Sequence, residues 1–421
     1  MTEQINTPEL RFPEFKEEWI EYYLGNNAMI KGRLGWKGLK QSEYLNNGYA
    51  YLIANKHIKN GRINWEETDQ INKFRYDESP EIALETGDLI FSKDGALGNP
   101  ALIKNLPKPA SINSTMMLVR LNKNNFIPNF FYQILLGPLF NKLIYLKVSG
   151  SSIPHLFQAD MKDFKFKAPS LPEQEKIGNF FSKLDRQIEL EEKKLELLEQ
   201  QKRGYMQKIF TQELKFKNSQ LENIKWSYKT LEELNSFFTD GNYGESYPKS
   251  EDMSDKNDGV AFLRGSNLKK GRITLEDANY ISKKKHSELT TGHLFLDDIV
   301  IAVRGSLGAV GYVNENMVGN NINSQLAIIR TSDSLLYGKY LLYYLMSNQG
   351  KKELLSRVTG TALKQLPIKQ IKQIKVPVPK LYEQHKIANF LSELDNLIDN
   401  QTEKIELLKE RNKGFLQKMF V

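Results

Sequence analysis

The side chains best suited to chemistry in this chain are basic ones that cluster outside the stretches of helical periodicity. Four such clusters lie at residues 31–33, 56–62, 269–272 and 283–285. Together with a formal net charge of +8 and a pI near 9.1, they favour a polyanionic partner such as nucleic acid. Many proteins without such a partner share this balance, so the clusters indicate a class of partner and not a site.

Two patterns that resemble catalytic motifs have simpler interpretations. Glu192-Lys193-Lys194 fits the Glu-x-Lys end of a nuclease motif, but it lies on a predicted helix without an accompanying acidic strand. Gly305, Gly308 and the glycine at 311 follow a predicted strand and could cradle a phosphate through backbone N–H groups. A tight turn that needs positive φ is the alternative interpretation. We therefore expect no catalytic residue in this chain.

Composition narrows the class of protein further. The absence of cysteine excludes disulfides, thiolate metal sites and a cysteine nucleophile, and it suits a reducing cytosol. The five histidines lack ligand-like spacing, so we expect no metal site. No apolar run reaches 18 residues and no secretory leader begins at Met1, which predicts a cytoplasmic protein outside the membrane.

The elements that must position the basic clusters occur twice along the chain. A shift of 210 residues places 169–185 on 379–395, Asp88 on Asp298, and 148–150 on 358–360. Because solenoid repeats run roughly 20 to 50 residues, this longer period indicates a duplicated domain. The chain is thus predicted to contain two similar folded units.

The first part of each repeat, 13–168 and 224–378, mixes short β-rich runs with Gly, Asn and Ser. Strands are predicted at 49–53, 88–91 and 115–119, and again at 260–263, 298–303 and 326–329. One helix is expected to close each globule, at 129–146 and 336–355. This pattern predicts an α+β fold for both globules.

The second part of each repeat, 172–210 and 382–420, is nearly free of Gly and Pro. Apolar residues recur at alternating steps of three and four, which is typical of a coiled coil. Polar breaks in this seam also match, with Glu191 and Lys202 in the first helix and Gln401 and Asn412 in the second. Two amphipathic helices that pack only on their own globules are the alternative.

Chain connectivity sets the direction of the predicted helix pair. The second globule follows the end of the first helix and precedes the start of the second, so the helices are expected to run antiparallel. At about 1.5 Å per residue, roughly 38 residues span about 55 Å. Dimeric DNA readers contact half-sites about 34 Å apart, and such a pair could hold two globules at that separation. Different loops in the two halves then predict an asymmetric, interrupted target.

With its two globules and two long helices in alternation, the chain resembles the specificity subunit of a type I restriction-modification system. The motifs that carry the resemblance are the 148–156 turn, the 163–169 strand and the Leu-Pro-Glu-Gln-Glu-Lys-Ile run at 171–177, with second copies at 358–366, 373–379 and 381–387. The resemblance covers essentially the whole chain. It implies target-recognition domains at 1–170 and 213–380, alternating with conserved spacer helices at 171–212 and 381–421.

The resemblance also implies partners and the absence of catalysis. Such a subunit positions two adenine methyltransferase subunits, and often two restriction subunits, on double-stranded DNA. S-adenosylmethionine, and ATP with Mg²⁺ where a restriction subunit is present, would belong to those partners. The sequence contains no Asn-Pro-Pro-Tyr-like, phosphate-loop or HExxH motif. Three alternatives are the recognition subunit of a fused methyltransferase-nuclease system, a stand-alone pseudo-dimeric repressor and a protein-binding coiled-coil scaffold.

Candidate DNA contacts are basic or polar residues in the predicted loops, where Lys and Arg attract phosphate and Arg, Asn, Gln and Ser can read bases. In the first repeat they are Lys31, Arg33, Lys37, Lys56, Arg62, Lys93, Ser151, Ser152 and His155. In the second repeat they are Tyr243, Arg264, Lys270, Arg272, Arg304, Asn323, Thr361, Lys364 and Gln365. The turn residues Asn113 and Asn323 could instead cap turns.

Candidate partner-docking residues recur at the start of both long helices. They are predicted to face outward and to bind the methyltransferases: Glu173, Gln174, Lys176, Glu383, Gln384 and Lys386. A capped helix start, with Pro172 in its first turn, is the alternative interpretation.

Overall fold

The computed structural model describes residues 7–34, 39–149, 154–214, 226–361 and 363–420. The chain divides into two compact units. Unit 1 comprises Met1–Glu192 and Glu403–Val421, and unit 2 comprises Lys193–Thr402. Both boundaries fall inside long helices, so each unit consists of one globule and a segment of each long helix.

Unit 1 combines short strands with short helices before its long helix. Its strands are β1 Ile20–Tyr23, β2 Ala28–Gly32, β3 Ala50–Ile53, β4 Ile58–Lys59, β5 Arg62–Ile63, β6 Asp69–Ile71, β7 Leu89–Ser92, β8 Gly98–Leu102, β9 Ala110–Ile112, β10 Met116–Leu121 and β11 Lys165–Ala168. Its helices are α1 Lys73–Asp77, α2 Pro128–Leu136, α3 Pro138–Ser149, α4 Gln158–Lys162 and the long α5 Leu171–Phe210, which continues into unit 2.

Unit 2 repeats this order of elements. Its strands are β12 Ser227–Thr230, β13 Phe237–Asp240, β14 Met253–Ser254, β15 Val260–Leu263, β16 Leu268–Lys269, β17 Gly271–Ile273, β18 Asn279–Ile281, β19 Ile299–Ala302, β20 Val310–Tyr312, β21 Asn321–Ile322, β22 Leu326–Arg330 and β23 Lys375–Val378. Its helices are α6 Lys283–Glu288, α7 Gly338–Met346, α8 Asn348–Ser356, α9 Ile368–Lys372 and the long α10 Leu381–Lys418, which continues into unit 1.

The central sheet has the same topology in both units. Its strand order is β2-β10-β7-β8 in unit 1, and the equivalent strands in unit 2 follow the order β13-β22-β19-β20. A second sheet also recurs, as β6-β3-β9 and as β18-β15-β21 with β14 added at its edge. The units differ where β17 pairs in parallel with β20, which joins the β16-β17 hairpin to the central sheet. The α+β class predicted for both globules is confirmed.

The prediction that one continuous helix closes each globule is wrong, because two consecutive helices occupy each of these stretches. In unit 1 it is interrupted at Gly137, after which Pro138 begins α3. Proline lacks an N–H and disfavours a helical residue before it, so the helix ends there and a second one begins. In unit 2 Ser347 has extended backbone angles, and its side chain accepts a hydrogen bond from Gly350 N, which caps the start of α8.

A buried ion pair anchors the central sheet in each unit. Arg120 of β10 donates to both carboxylate oxygens of Asp88 at 2.7 Å, and Arg330 of β22 donates to those of Asp298 at 2.8 Å. Both aspartates also accept a backbone N–H, from Glu85 and from Phe295. Because a buried carboxylate is costly without such donors, both partners must be present, which explains why Asp88 and Asp298 coincide in the repeat.

The long helices pack against one another inside unit 1. Phe180 of α5 meets Phe415 of α10 edge-on, with ring centroids 5.1 Å apart, and Asn412 donates to Asp185 at 3.2 Å. Glu191 accepts from Lys404. As the residue numbers of these contacts increase along α5, those of their partners decrease along α10. The two segments therefore run in opposite directions.

Unit 2 contains the equivalent contacts, made there by the C-terminal part of α5 and the N-terminal part of α10. Tyr205 of α5 and Phe390 of α10 pack edge-on with ring centroids 5.2 Å apart, and Lys202 donates to Asp395. These segments also run in opposite directions. The buried face of α10 in this unit, including Ile387 and Leu391, joins the core of the globule. Among the helices of the described residues, none combines the length and apolarity that crossing a membrane requires.

Candidate nucleic-acid interface

Two segments converge at one side of the central sheet in unit 2. The loop after β19 contains Val303 and Arg304, and Val303 O accepts a hydrogen bond from Leu366 N at 3.0 Å. Thr359 and Gln365 exchange two backbone hydrogen bonds of 2.8 and 2.9 Å, which close the turn that carries Gln365. The backbone thus brings two predicted contacts, Arg304 and Gln365, to a single cleft.

The cleft in unit 2 has a volume of about 270 Å³ and is lined in part by Asp240, Tyr243, Arg304 and Gln365. The Arg304 guanidinium lies over the Tyr243 ring, 5.4 Å from its centroid, a cation–π distance. The Tyr243 hydroxyl donates to Ser324 O at 3.0 Å. Burial, followed by the charge of Asp240, raises the pKa of the Tyr243 phenol, so the hydroxyl keeps its proton at neutral pH.

Unit 1 builds the same frame with different side chains. Leu156 N donates to Lys93 O at 2.9 Å, and a β-bridge joins Asp94 to His155. The Asp94 carboxylate contacts His155 Nδ1 and accepts from Lys93 Nζ at 3.1 Å. The His155 ring packs on Phe157 with centroids 4.3 Å apart. Asp94 and His155 correspond to Arg304 and Gln365, so the first of these two positions carries an acidic side chain in unit 1 and a basic one in unit 2.

The glycine that follows each of these variable positions is required by the backbone. Gly95 and Gly305 have φ of 70° and 69°, and no atom lies within 4 Å of where a Cβ would project. Gly308 also has positive φ, and its N–H donates to Ala302 O at 3.3 Å. The interpretation of Gly305 and Gly308 as turn residues is confirmed, since both have positive φ and the Gly308 N–H is used inside the loop.

The prediction that Arg33 contacts DNA is contradicted by the burial of this side chain. Its residue is only 4% exposed, and the guanidinium donates to Ile112 O and Ser111 Oγ at 3.0 Å and to Ser79 Oγ at 3.3 Å. Burial lowers the pKa of Arg33. The structure therefore gives Arg33 an internal role, fastening the chain after β2 to β9, and it does not place the side chain on a surface that DNA could meet.

Asn323 is also buried and has a turn-capping role. Its Oδ1 accepts from Gln325 N at 3.0 Å, and the equivalent Asn113 accepts from Thr115 N at 3.1 Å. This repeated geometry supports the turn interpretation that the sequence left open.

Several predicted contacts are exposed but already paired with carboxylates. Arg62 reaches Glu189 at 2.5 Å, Arg272 reaches Asp399, and Lys56 reaches Asp69 at 2.8 Å. Lys270 is exposed as well, and its ammonium lies 3.8 Å from a carboxylate oxygen of Glu199. Arg264 differs from these, since it is half-buried and donates to the backbone carbonyl of Asp277 at 2.9 Å.

The other predicted contacts divide into exposed residues and residues that the structure does not describe. Lys31, Thr361 and Lys364 are exposed. Lys37, Ser151 and Ser152 lie outside the described residues. A DNA contact by any of the exposed residues stays a prediction.

The predicted docking residues include a duplicated internal clamp. Gln174 Nε2 donates to Asn125 O at 3.1 Å and Pro169 O at 2.9 Å, and its Oε1 accepts from Ile127 N at 3.0 Å. Gln384 makes the equivalent bonds to Leu335 O, Pro379 O and Tyr337 N, at 2.9, 3.0 and 2.8 Å. The expectation that these two glutamines face outward is wrong, because each ties its helix start to the globule.

The remaining docking candidates are also engaged within their own units. Glu173 is buried and accepts two bonds of 2.7 Å from Arg11, and Glu383 accepts from Trp226 Nε1 at 3.2 Å. Lys176 pairs with Glu14, and the Lys386 ammonium lies 4.6 Å from the Tyr382 ring centroid. The outward orientation expected for Glu173 is therefore wrong as well.

Sequence reasoning did not select Asp94 or Asp240, although both lie with the predicted contacts. Asp94 pairs with His155, and Asp240 lines the cleft of Arg304. A usable signal for Asp94 was its 210-residue correspondence with Arg304. No group of three or more His, Asp or Glu residues suited to a metal ion occurs within the described parts of the chain.

Comparison with known proteins identifies the family to which this duplicated arrangement belongs. The family described as "Type I restriction modification DNA specificity domain" matches residues 29–200 and 223–410, one copy in each repeat. The chain belongs to this family. As a type I specificity subunit, it functions in recognition of DNA sequence.

Curated relatives from Methanocaldococcus jannaschii match most of this specificity subunit. The putative type I restriction enzyme MjaX specificity subunit is 27% identical over 368 residues, which cover 84% of this chain and 83% of the relative. The MjaVIII specificity subunit is 26% identical over 427 residues, which cover 96% and 92%.

Solved structures share the fold of this specificity subunit. The crystal structure of a type I S subunit from M. genitalium has a TM-score of 0.59, with 17% identity and 99% of each chain covered. A structure reported for complex assembly and conformational transition of the type I R-M system has a TM-score of 0.58, with 19% identity, and covers 94% of this chain and 96% of that chain.

Proposed function

We propose that the chain recognises an asymmetric bipartite site on double-stranded DNA, with one half-site read by each unit. The observation that carries this proposal is the pair of equivalent loop frames with unlike side chains. Asp94 and His155 in unit 1 correspond to Arg304 and Gln365 in unit 2. Bases are distinguished by patterns of donors and acceptors, so an acceptor in one frame and a donor in the other select different bases.

The paired long helices act in this proposal as an antiparallel coiled-coil spacer. Oppositely directed segments pack in both units, through Phe180 and Phe415 in one and Tyr205 and Phe390 in the other. The spacer helices are proposed to comprise 171–212 and 381–421, and the recognition domains 1–170 and 213–380. The length of the spacer then sets the gap between the half-sites.

The subunit itself is proposed to be a non-catalytic, cytoplasmic component of a larger enzyme. Two adenine methyltransferase subunits dock on it and bind S-adenosylmethionine, and two restriction subunits that use ATP and Mg²⁺ can join them. Support comes from the similar structure described for assembly of a type I system. Of the predicted docking residues, Lys176 and Lys386 keep partly accessible side chains, whereas Gln174 and Gln384 are buried.

An exchange of recognition domains tests this function. Residues 13–168 are replaced by the equivalent domain of another specificity subunit, and the hybrid is expressed with the methyltransferase of the same system. Sequencing that detects N6-methyladenine should show one half-site changed and the other retained. A change in both half-sites would contradict recognition by separate units, and DNA affinity without sequence dependence would contradict the function itself.

Matched insertions test the spacer separately. One heptad inserted into each helix, within 185–205 of α5 and at the paired level of α10, lengthens the pair by about 10 Å. The gap between methylated half-sites should grow while their bases stay the same. Altered bases at an unchanged gap would show that the helices do not set the separation. Sequence-specific binding by the purified chain, unaffected by methyltransferase, would favour a stand-alone repressor.

A further inference from the structure

We propose that Arg304 reads a guanine in the major groove, within the half-site contacted by unit 2. This inference rests on the proposed function and adds the base and the residue that selects it. A guanidinium that donates to guanine O6 and N7 is the commonest base-specific contact between proteins and DNA. Four features of Arg304 support this assignment: its available donors, its restrained position, the open space beside it and its counterpart in unit 1.

Arg304 has donors available for a ligand. It is exposed, and its guanidinium makes no ion pair or hydrogen bond with any residue that the structure describes. The other arginines of unit 2 are all engaged, as Arg203 with Glu199, Arg264 with Asp277 O, Arg272 with Asp399, Arg330 with Asp298 and Arg357 with Glu353. Binding of a base by Arg304 therefore breaks no internal salt bridge.

Contacts within unit 2 restrain the position of Arg304 before DNA binds. Its ring partner Tyr243 is anchored through the hydroxyl to Ser324 O. The backbone is held as well, since Val303 N and Arg304 N both donate to Gln325 O, at 2.8 and 3.3 Å. A side chain stacked in this way loses less freedom on binding, which favours affinity and a defined geometry.

Close approach by a base edge is sterically possible at this loop. Gly305 directly follows Arg304, and the space into which a side chain would project is open. The cleft beside it also contains Gln365, so a polar side chain lies next to the guanidinium. A second donor and acceptor there can contact a neighbouring base.

The counterpart of Arg304 in unit 1 argues against a simple phosphate contact. Arginine also binds phosphate through two parallel hydrogen bonds, so free donors alone do not decide between phosphate and base. The equivalent residue in unit 1 is Asp94, held by Lys93 and His155. Unit 1 thus has an ion-paired carboxylate where unit 2 has a guanidinium that is unpaired among the described residues, and a position that differs in this way between the units is better suited to selecting bases than to a shared phosphate contact.

The test uses the full-length chain assembled with the methyltransferase of its own system. The half-site read by unit 2 is first identified as the one that survives exchange of residues 13–168. Arg304→Ala, Arg304→Lys and Arg203→Ala are then compared by mapping genomic N6-methyladenine and by binding to duplexes that carry each base at every half-site position. Arg203 is an exposed helix arginine whose replacement removes the same charge. Thermal melting confirms that each variant folds.

We expect Arg304→Ala to reduce the preference for guanine at one position of this half-site about ten- to a hundredfold. Arg304→Lys should retain part of the affinity and lose most of the preference, since an ammonium lacks the planar fork. Asp94→Asn should alter only the other half-site, and Arg203→Ala should alter neither.

Three results would overturn the inference while leaving the proposed function intact. They are a half-site without guanine, unchanged base preference in both Arg304 variants, and a uniform loss of affinity at all positions, which would indicate a phosphate contact. A variant that fails to melt cooperatively is replaced by Arg304→Gln, judged by the same criteria. Absence of any sequence preference in the wild-type complex would instead refute the proposed function.

Discussion

Lys202 and Asp395 form an ion pair inside unit 2, where segments of the two long helices pack together. The Tyr343 hydroxyl donates to the other Asp395 oxygen at 2.7 Å. The equivalent pair in unit 1 lacks the cation, because Asn412 donates to Asp185 at 3.2 Å and its own Oδ1 is buried without a partner among the described residues. The duplicated polar layer is therefore neutralised in one unit and not in the other.

Reciprocal substitutions in this layer should have opposite effects. Lys202→Asn removes the cation beside a partly buried Asp395 and should lower the free energy of unfolding by about 1–3 kcal/mol. Asn412→Lys supplies the missing cation to Asp185 and should raise it by roughly 0.5–1 kcal/mol. Urea unfolding at neutral pH measures both changes. Loss of stability in Asn412→Lys would show that unit 1 cannot accommodate the cation.

The pH dependence of stability should reveal the uncompensated carboxylate of Asp185. Burial raises the pKa of Asp185 above its ordinary value of 3.8, outweighing the opposing effects of Lys104, Asn412 and Arg62. The folded state then holds this proton more tightly than the unfolded state, so the contribution of Asp185 to stability falls as pH rises from about 3.8 through the raised pKa.

Asp185→Asn should remove this dependence. The variant is expected to gain stability over the wild type near neutral pH, and the difference should shrink as pH falls toward the ordinary pKa of an aspartate. Urea unfolding of both proteins across this range gives the difference directly, which cancels contributions from other titrating groups. A constant difference at every pH would contradict the raised pKa.

Gly178 in α5 should resist replacement by alanine although alanine favours helices. A Cβ at this position would lie 2.9 Å from Asn129 Cβ and 3.1 Å from Phe130 N, so the helix and α2 would have to separate. We expect Gly178→Ala to destabilise unit 1 by about 1–3 kcal/mol, as overpacking does.

The matched control for Gly178 is a helical glycine with open space. No atom lies within 4 Å of a Cβ added at Gly414. Gly414→Ala should therefore stabilise the chain by up to about 1 kcal/mol through helix propensity alone. The two variants are compared by thermal melting, and equal shifts of the same sign would rule out the steric explanation.

The buried hydrogen bonds of Gln384 should stabilise the fold and should not be needed for methyltransferase binding. Gln384→Ala removes three hydrogen bonds and leaves the Tyr337 N–H without its acceptor, which should cost about 1–3 kcal/mol. The control is Gln200→Ala, since Gln200 is exposed and, among the residues that the structure describes, its side chain bonds only to Glu196 on the same helix. Calorimetry measures stability, and co-purification measures methyltransferase binding. Unchanged stability with lost methyltransferase binding would support the docking role instead.

Sequence by itself determined the duplication, two strands of each central sheet (β7 and β10 in unit 1, β19 and β22 in unit 2) and the extent of the two long helices. Helix α5 spans Leu171–Phe210 where the pattern predicted 172–210, because an apolar stripe repeated over many turns is a local signal. The aligned Asp88 and Asp298 likewise marked a shared structural need, which the ion pairs with Arg120 and Arg330 now explain.

Only the tertiary structure decided which polar side chains face inward. Arg33 and its acceptor Ile112 O are separated by 79 residues, and Gln174 meets a loop 47 residues away at Ile127. Periodicity within a segment cannot report partners that distant, so buried and exposed polar residues look alike in the sequence. The same limit explains why Arg304 and Arg264 ranked equally as candidates until the fold showed that Arg264 is bonded to Asp277 O, whereas the Arg304 guanidinium bonds to no side chain or backbone group in the described part of the chain.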